Sequence, residues 1–235
     1  MKIGVLTICT GKYSIFFDEF YSSCQELFLK DHEKTFFTFT DGDIVSADNI
    51  IKINQSKLGW PYDTMMRFHM FNSISGELSK MDYLFFFNVN MKIIESIEDD
   101  IIPSIENDYL MGVNHPGYYQ TKNEFDLPYE RRYESSFFVP YGSGKIYYQG
   151  CFNGGRSSDF LKMSRILEDL ISKDLSNGIT PIWHDESALN WYYLSRNPLT
   201  LSPSYAYPES WWSDIDKKII QIDKNKFGGH LELRR

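Results

Sequence analysis

The stretch that most limits the folds open to this chain is Tyr83-Leu84-Phe85-Phe86-Phe87, five apolar residues without alternation, followed at once by Asn88-Val89-Asn90. An apolar run of that length predicts a strand covered on both faces, the pattern of interior strands in parallel sheets. The two asparagines stand at i and i+2, so their side chains leave the strand's carboxyl end on one side. Open α/β sheets bind ligands at that end. On this stretch alone, Asn-Val-Asn reads as readily as a polar turn that closes a strand.

The flanking pattern is α/β. Residues 2–9 predict a first strand running into Thr10-Gly11-Lys12-Tyr13, and from about Ser14 apolar residues fall at helical spacing to Phe28. Strands at Phe36–Thr40 and Ile50–Ile53 complete a βαβ pattern. Gly59-Trp60-Pro61-Tyr62-Asp63 predicts a helix start capped by Asp63, and one helix carries Met66, Met70, Phe71, Ile74 and Leu78 inward. A strand follows at Tyr109–Val113, then a long aperiodic stretch, Asn114–Gly144, read as part of a substrate wall. Ile146–Asn153 predicts a strand broken by Gly154-Gly155. One helix runs from about Ser158 to Asn177-Gly178, and another is opened by Pro181–Ser187 and ends before Asn197-Pro198. The remainder, through Trp211-Trp212 to a basic end, reads as irregular.

With 235 residues and no dividing linker, the chain is expected to form a single domain, 1–235. A net charge of −8 argues against nucleic acid as a partner. Cys9, Cys24 and Cys151 are too few and too scattered for a disulfide framework or a zinc site, and reduced thiols fit a cytoplasmic location. No apolar run approaches a membrane span and no cleavage pattern follows the first strand, so any membrane contact is expected to be peripheral. Aromatic residues, 17% of the chain, suit carbohydrate faces, although most must be core. Lys217, Lys218, Lys224, Lys226, Arg234 and Arg235 make a cationic tail that either faces an anion or is simply solvated.

An apolar strand followed by polar-x-polar resembles the way GT-A nucleotide-sugar glycosyltransferases place Asp-x-Asp, which holds a divalent metal on the diphosphate. Here both acids are Asn, and neutral amides supply none of the charge that hard cations require, so no catalytic metal is expected. Transfer from a nucleotide sugar needs cations for the leaving diphosphate and carboxylate for the cationic sugar. Arg67 and Lys224 are candidates for the first need. Asp185 and Glu186 are candidates for the second, in a first helix turn whose N–H groups and dipole favour the ionised form, although helix stability alone also explains acids there.

Seven motifs in order then resemble glycosyltransferase family 6 over nearly the whole chain: Thr10 to Tyr13, Trp60 to Arg67, Phe86 to Asn90, His115 to Tyr118, Tyr129 to Arg132, Tyr147 to Gly155 and Trp183 to Ser187. That family includes the histo-blood group A and B transferases, α1,3-galactosyltransferases and Forssman synthase. The resemblance implies a GT-A-like glycosyltransferase fold, one Rossmann-like domain with a central, mostly parallel sheet. It implies a bacterial Asn-x-Asn type, a retaining α1,3-glycosyltransferase without metal or other cofactor. By the same likeness uracil stacks on Tyr13, with backbone contacts at Ile8 and Thr10, and Arg67 touches the donor sugar and diphosphate. Asn88 and Asn90 bond ribose or phosphate, and Lys224 neutralises the diphosphate while Arg234 and Arg235 help close the tail. Glu186 falls on the nucleophile, Asp185 on a residue bonding the donor hexose, and His115 and Trp183 on the acceptor site. Donor choice turns on Gln149-Gly150-Cys151: Gly in the third position accompanies N-acetylgalactosamine and Ala galactose, and the bulkier Cys implies UDP-galactose over UDP-N-acetylgalactosamine. The implied acceptor is a 2-fucosylated galactoside, on an oligosaccharide or glycolipid such as a bacterial O-antigen. A noncatalytic sugar- or nucleotide-binding module is the reading from another class, and the paired Asp185 and Glu186 speak against it.

Overall fold

The apolar runs form the strands expected of them in the computed structural model, which describes residues 1–235. β1 (Lys2–Ile8), α1 (Phe17–Leu27), β2 (Glu33–Thr40) and β3 (Ile50–Asn54) come first. Three short helices follow, α2 (Tyr62–Met65), α3 (Arg67–Ser73) and α4 (Ser75–Leu78), then β4 (Tyr83–Asn88) and β5 (Met91–Ile93). The second part contains β6 (Leu110–Asn114), β7 (Tyr148–Arg156), α5 (Ser157–Ser176), α6 (Asp185–Tyr193), β8 (Leu199–Leu201), β9 (Tyr207–Pro208), β10 (Ile219–Gln221) and α7 (Gly229–Leu233). No helix is long and apolar enough to cross a membrane.

Seven strands make one sheet in the order β3-β2-β1-β4-β7-β6-β8. It is mostly parallel, and only β7 runs against its neighbours. β4 is central and buried on both faces. Phe85 and Phe87 meet Phe20 and Phe28 on the α1 side, whereas Leu84 and Phe86 join Phe71 and Phe160 under α3 and α5. Each fully buried ring of this kind contributes about 1.5–3 kcal/mol relative to exposure. That double burial explains the unbroken apolar run.

Four details depart from expectation. β7 does not break at Gly154-Gly155 but runs through it, because the glycines let β4 and β6 approach: a Cβ on Gly154 would lie 2.4 Å from Phe85, and one on Gly155 2.4 Å from the Tyr109 carbonyl. The single helix after Asp63 is three pieces, interrupted where Met66 and Ile74 turn to ψ 10° and 24°. Asp63 does not cap it, since its carboxylate accepts the Leu58 N–H at 2.7 Å and Pro61 holds the cap position. The tail is not irregular either. Its Ile219-Ile220-Gln221 pairs antiparallel with β5, in a small sheet ordered β5-β10-β9.

Two registers position the site. Ile8 pairs with Asn88, so the segments leaving β1 and β4 lie side by side at the sheet's carboxyl end. After β10, the Ile222 N–H donates to the Asn90 carbonyl at 2.8 Å, which returns the tail to that same end.

Candidate active site

A cleft opens where β1 and β4 end, lined by Ile8, Thr10, Tyr13, Arg67, Asn88, Asn90 and Lys224 together with Lys57, Trp60, Arg234 and others. Its charge comes from chain segments far apart in sequence. The Lys224 ammonium lies 5.2 Å from the centre of the Tyr13 ring, and the Arg234 guanidinium 3.6 Å from the centre of the Trp60 ring. Lys57 Nζ holds the Arg234 carbonyl at 2.5 Å, and Lys12 pairs with Glu232, so α7 is fastened over the cleft mouth. Burial, with Arg234 adding repulsion, lowers the Lys224 pKa to about 8. Arg235 takes no part in the cleft lining; it is largely exposed and pairs with Glu232. Asn90 is buried and donates to the Ile222 carbonyl at 3.4 Å, so it also anchors the tail.

Arg67 joins this cleft to the acids. Its buried guanidinium lies over Phe86, 4.2 Å from the ring centre, and Nε donates to the Thr64 carbonyl at 3.1 Å. Nη1 donates to the Gly150 carbonyl at 2.6 Å and pairs with Asp185 Oδ2 at 2.9 Å. The Gly150 N–H in turn donates to Glu186 Oε2 at 2.7 Å. A Cβ at Gly150 would stand 2.8 Å from Asp185 Oδ2 and 3.4 Å from Glu186 Oε2. No side chain fits there.

Both acids open α6, as the sequence predicts, but burial raises their pKa values where the helix dipole alone would lower them. Burial pushes Asp185 up to about 6, against the pull of Arg67, and Glu186 up to about 7, against the Gly150 N–H. The dipole of a nine-residue helix is outweighed because the carboxyls are ringed by protein rather than water. Glu186 retains some accessibility, so its carboxyl is ringed by protein yet still reachable. The Tyr147 hydroxyl lies close enough to influence its charge without being aligned for a hydrogen bond. His184, just before α6, has φ 55° and ψ −121°, a conformation costing about 1–3 kcal/mol for a residue with a side chain. Its ring packs on Trp60, 4.8 Å between centres.

The remaining sequence candidates fall around this centre. His115 packs against Tyr118 and Tyr147, with ring centres 4.9 and 5.9 Å away, and burial lowers its pKa to about 4, so it is neutral. The Gly117 N–H donates to its Nδ1 at 3.0 Å. The indole of Trp183 is half exposed. Gln149 is buried with Oε1 unpartnered, and Cys151 is packed in the large core cluster. Sequence reasoning assigned no role to Glu130, whose buried carboxylate accepts the Ile182 N–H at 2.8 Å and Arg132 Nε at 2.8 Å. That clamp ties the long loop to the turn before α6; the Tyr-Glu-Arg-Arg run was its one visible signal. No group of three or more His, Cys, Asp or Glu side chains is gathered as a metal site would require.

Comparison with known proteins points the same way as this geometry. A family model described as Glycosyltransferase family 6 matches residues 1–228. The chain is 39% identical over 240 residues to the O-antigen biosynthesis glycosyltransferase WbnI of Escherichia coli, covering 100% of both. It is 28% identical to histo-blood group ABO system transferase 2 of Rattus norvegicus, over 95% of this chain and 70% of the relative. It is 30% identical to globoside alpha-1,3-N-acetylgalactosaminyltransferase 1 of Homo sapiens, over 89% of this chain and 62% of the relative.

Proposed function

The chain belongs to glycosyltransferase family 6, and from that premise we propose that it is a metal-independent, retaining α1,3-galactosyltransferase. It moves galactose from UDP-galactose to a 2-fucosylated galactoside of a bacterial surface glycan, on the cytoplasmic side of the membrane. The relative named for O-antigen biosynthesis supports that setting. Residues 1–90 serve mainly the nucleotide and 91–235 the acceptor and the chemistry, with the tail reaching back over the donor.

The observation that carries this reading is the junction of a cationic cleft with a buried acid pair through Arg67 and Gly150. Uracil lies against Tyr13, and the diphosphate meets Lys224, Arg67 and Arg234. As the bond from the anomeric carbon to UDP breaks, its electron pair moves onto a diphosphate oxygen beside these cations. The Glu186 carboxylate then supports the cationic sugar as nucleophile while Asp185 bonds the hexose hydroxyls; the acceptor hydroxyl next bonds the anomeric carbon from the face UDP left, releasing the Glu186 carboxylate and giving its proton to the departed diphosphate. Ribose or phosphate bonds to the Asn88 and Asn90 amides, which have no charge for holding a divalent ion. His115, neutral, and Trp183 border the acceptor.

The alternative donor is UDP-N-acetylgalactosamine, and buried Cys151, close enough to Glu186, Arg67 and Lys224 to feel their charges, is where bulk bears on that choice. Assay with UDP-galactose and UDP-N-acetylgalactosamine, a fucosylated galactoside acceptor and excess chelator separates the readings. Transfer of galactose is expected. Product from the N-acetylated donor alone would reverse the donor choice, activity restored only by Mn²⁺ would overturn metal independence, and neither transfer nor UDP release would indicate a binding module.

A further inference from the structure

Two acids that the reaction does not use, Glu130 and Asp174, are almost wholly enclosed, each 1% accessible. Both hold the long loop between β6 and β7, and they hold it to different things. Asp174, in α5, accepts the Ser135 hydroxyl at 2.7 Å and the Ser136 N–H at 2.8 Å, which fastens the loop to that helix. Glu130 belongs to the loop itself and faces the segment between α5 and α6. Its Oε1 accepts the Arg132 N–H and Nε at 3.0 and 2.8 Å, and its Oε2 accepts Arg132 Nη2 and, at 2.8 Å, the Ile182 N–H. Arg132 Nη2 also donates to the Thr180 carbonyl at 2.7 Å. Burial opposes ionisation of Glu130, yet these donors hold its pKa below the ordinary value.

What this clamp grips is the run into the acid pair. Thr180, Ile182 and Trp183 are exposed and outside any strand, so their backbone has little of its own to fix it. The chain must nonetheless deliver Asp185 and Glu186 to Gly150, and it does so through His184 at φ 55° and ψ −121°. A residue keeps such a conformation only where its surroundings over-determine it. Here the His184 N–H closes onto the Pro181 carbonyl at 3.0 Å, and the Trp183 N–H donates to Ser187 Oγ at 2.9 Å. Glu130 and Arg132 pin the residues on either side of Pro181. The position calls for a carboxylate, because all of its partners are donors and an amide would turn its NH2 toward two of them.

We propose that Glu130 is a positioning residue for the transfer reaction: with Arg132 it fixes residues 180–184 in the shape that sets Asp185 and Glu186 against Gly150. This rests on the roles proposed for the acid pair. The test compares Glu130→Gln with Asp174→Asn, which loosens the same loop without touching the turn. With whichever donor supports transfer, Glu130→Gln should lower kcat about 10- to 100-fold, the scale of reacting groups misplaced by about an ångström, while UDP affinity by calorimetry stays unchanged. Asp174→Asn should lower the denaturation midpoint and leave kcat as it is. Hydrogen exchange of the Gly150 amide reads the placement without turnover, because that N–H is bonded to Glu186. It should be about tenfold faster in Glu130→Gln and unchanged in Asp174→Asn. An unchanged kcat in Glu130→Gln, equal losses in the two variants, or Gly150 exchange that ignores Glu130 overturns the assignment. If the wild type transfers no sugar but Gly150 exchange responds to Glu130 alone, the proposed reaction is wrong and the positioning stands. Should Glu130→Gln not fold, Arg132→Ala opens the same clamp from a half-exposed position and is read by the same measurements.

Discussion

The cationic cleft and the acid pair are opposites in charge and alike in predicament. Lys224 is a base made reluctant to hold its proton, at about 8, and Glu186 an acid made reluctant to lose it, at about 7. Burial causes both shifts, and each group lacks a strong partner of opposite sign on its own side. They differ in how the chain supplies them. The acids are neighbours held by one helix turn, whereas the cations converge from two distant segments, Arg67 in α3 and Lys224 with Arg234 in the C-terminal tail. The contrast teaches that charge for the leaving group is assembled by the fold, and charge for the sugar by local sequence.

The largest expected effect breaks the acid side alone. Glu186→Gln should lower turnover on the order of 10³-fold while UDP affinity, measured by calorimetry, changes little. Near wild-type activity would remove the role given to Glu186. On the cation side, Lys224→Met should weaken UDP binding about 10- to 100-fold, the scale of a lost charge-assisted bond. Its pH dependence sharpens the point. Only the protonated amine attracts diphosphate, so affinity for UDP should fall as pH rises above about 8, and that limb should vanish in the methionine variant.

A smaller effect reverses the usual sign of a mutation. Because the folded pKa of Glu186 lies above its unfolded value, the group is neutral in both states below about pH 4.5 and costs stability progressively as pH rises toward 7. Glu186→Gln should therefore stabilise the fold on the order of 1–3 kcal/mol at pH 8 and little at pH 4.5, read as denaturation midpoints. A destabilised variant at pH 8 would contradict the burial argument. The smallest expected change is Arg234→Ala, about threefold in UDP affinity, since that guanidinium sits on Trp60 at the cleft mouth.

The sheet was largely legible because its strands are apolar runs long enough to declare themselves, β4 above all. What escaped was decided by contacts distant in sequence. Nothing local marks Gly154-Gly155 as a packing seam rather than a stop, since the cause is Phe85 and the Tyr109 carbonyl across the sheet. Of the donor residues named from the family motifs, Ile8, Thr10, Tyr13, Arg67, Asn88, Asn90 and Lys224 line one cleft and Gln149, Gly150 and Cys151 do not, while Lys57 and Trp60, given no role, line it beside Arg234, whose carbonyl Lys57 holds. The acids stand at the start of the helix expected of them, but burial raises their pKa values against the pull of its dipole. Helix position is visible in sequence, and the depth at which the helix begins is not.

Gly150 binds these observations together. Its N–H faces Glu186 and its C=O faces Arg67, so the peptide groups on either side of one α-carbon touch both the anionic and the cationic partner. Rotation there would loosen both grips at once. Engineering sugar choice at Gln149 or Cys151, its two neighbours, is thus coupled through a shared pivot to speed: a variant that accepts a different hexose should also show an altered rate with the original one.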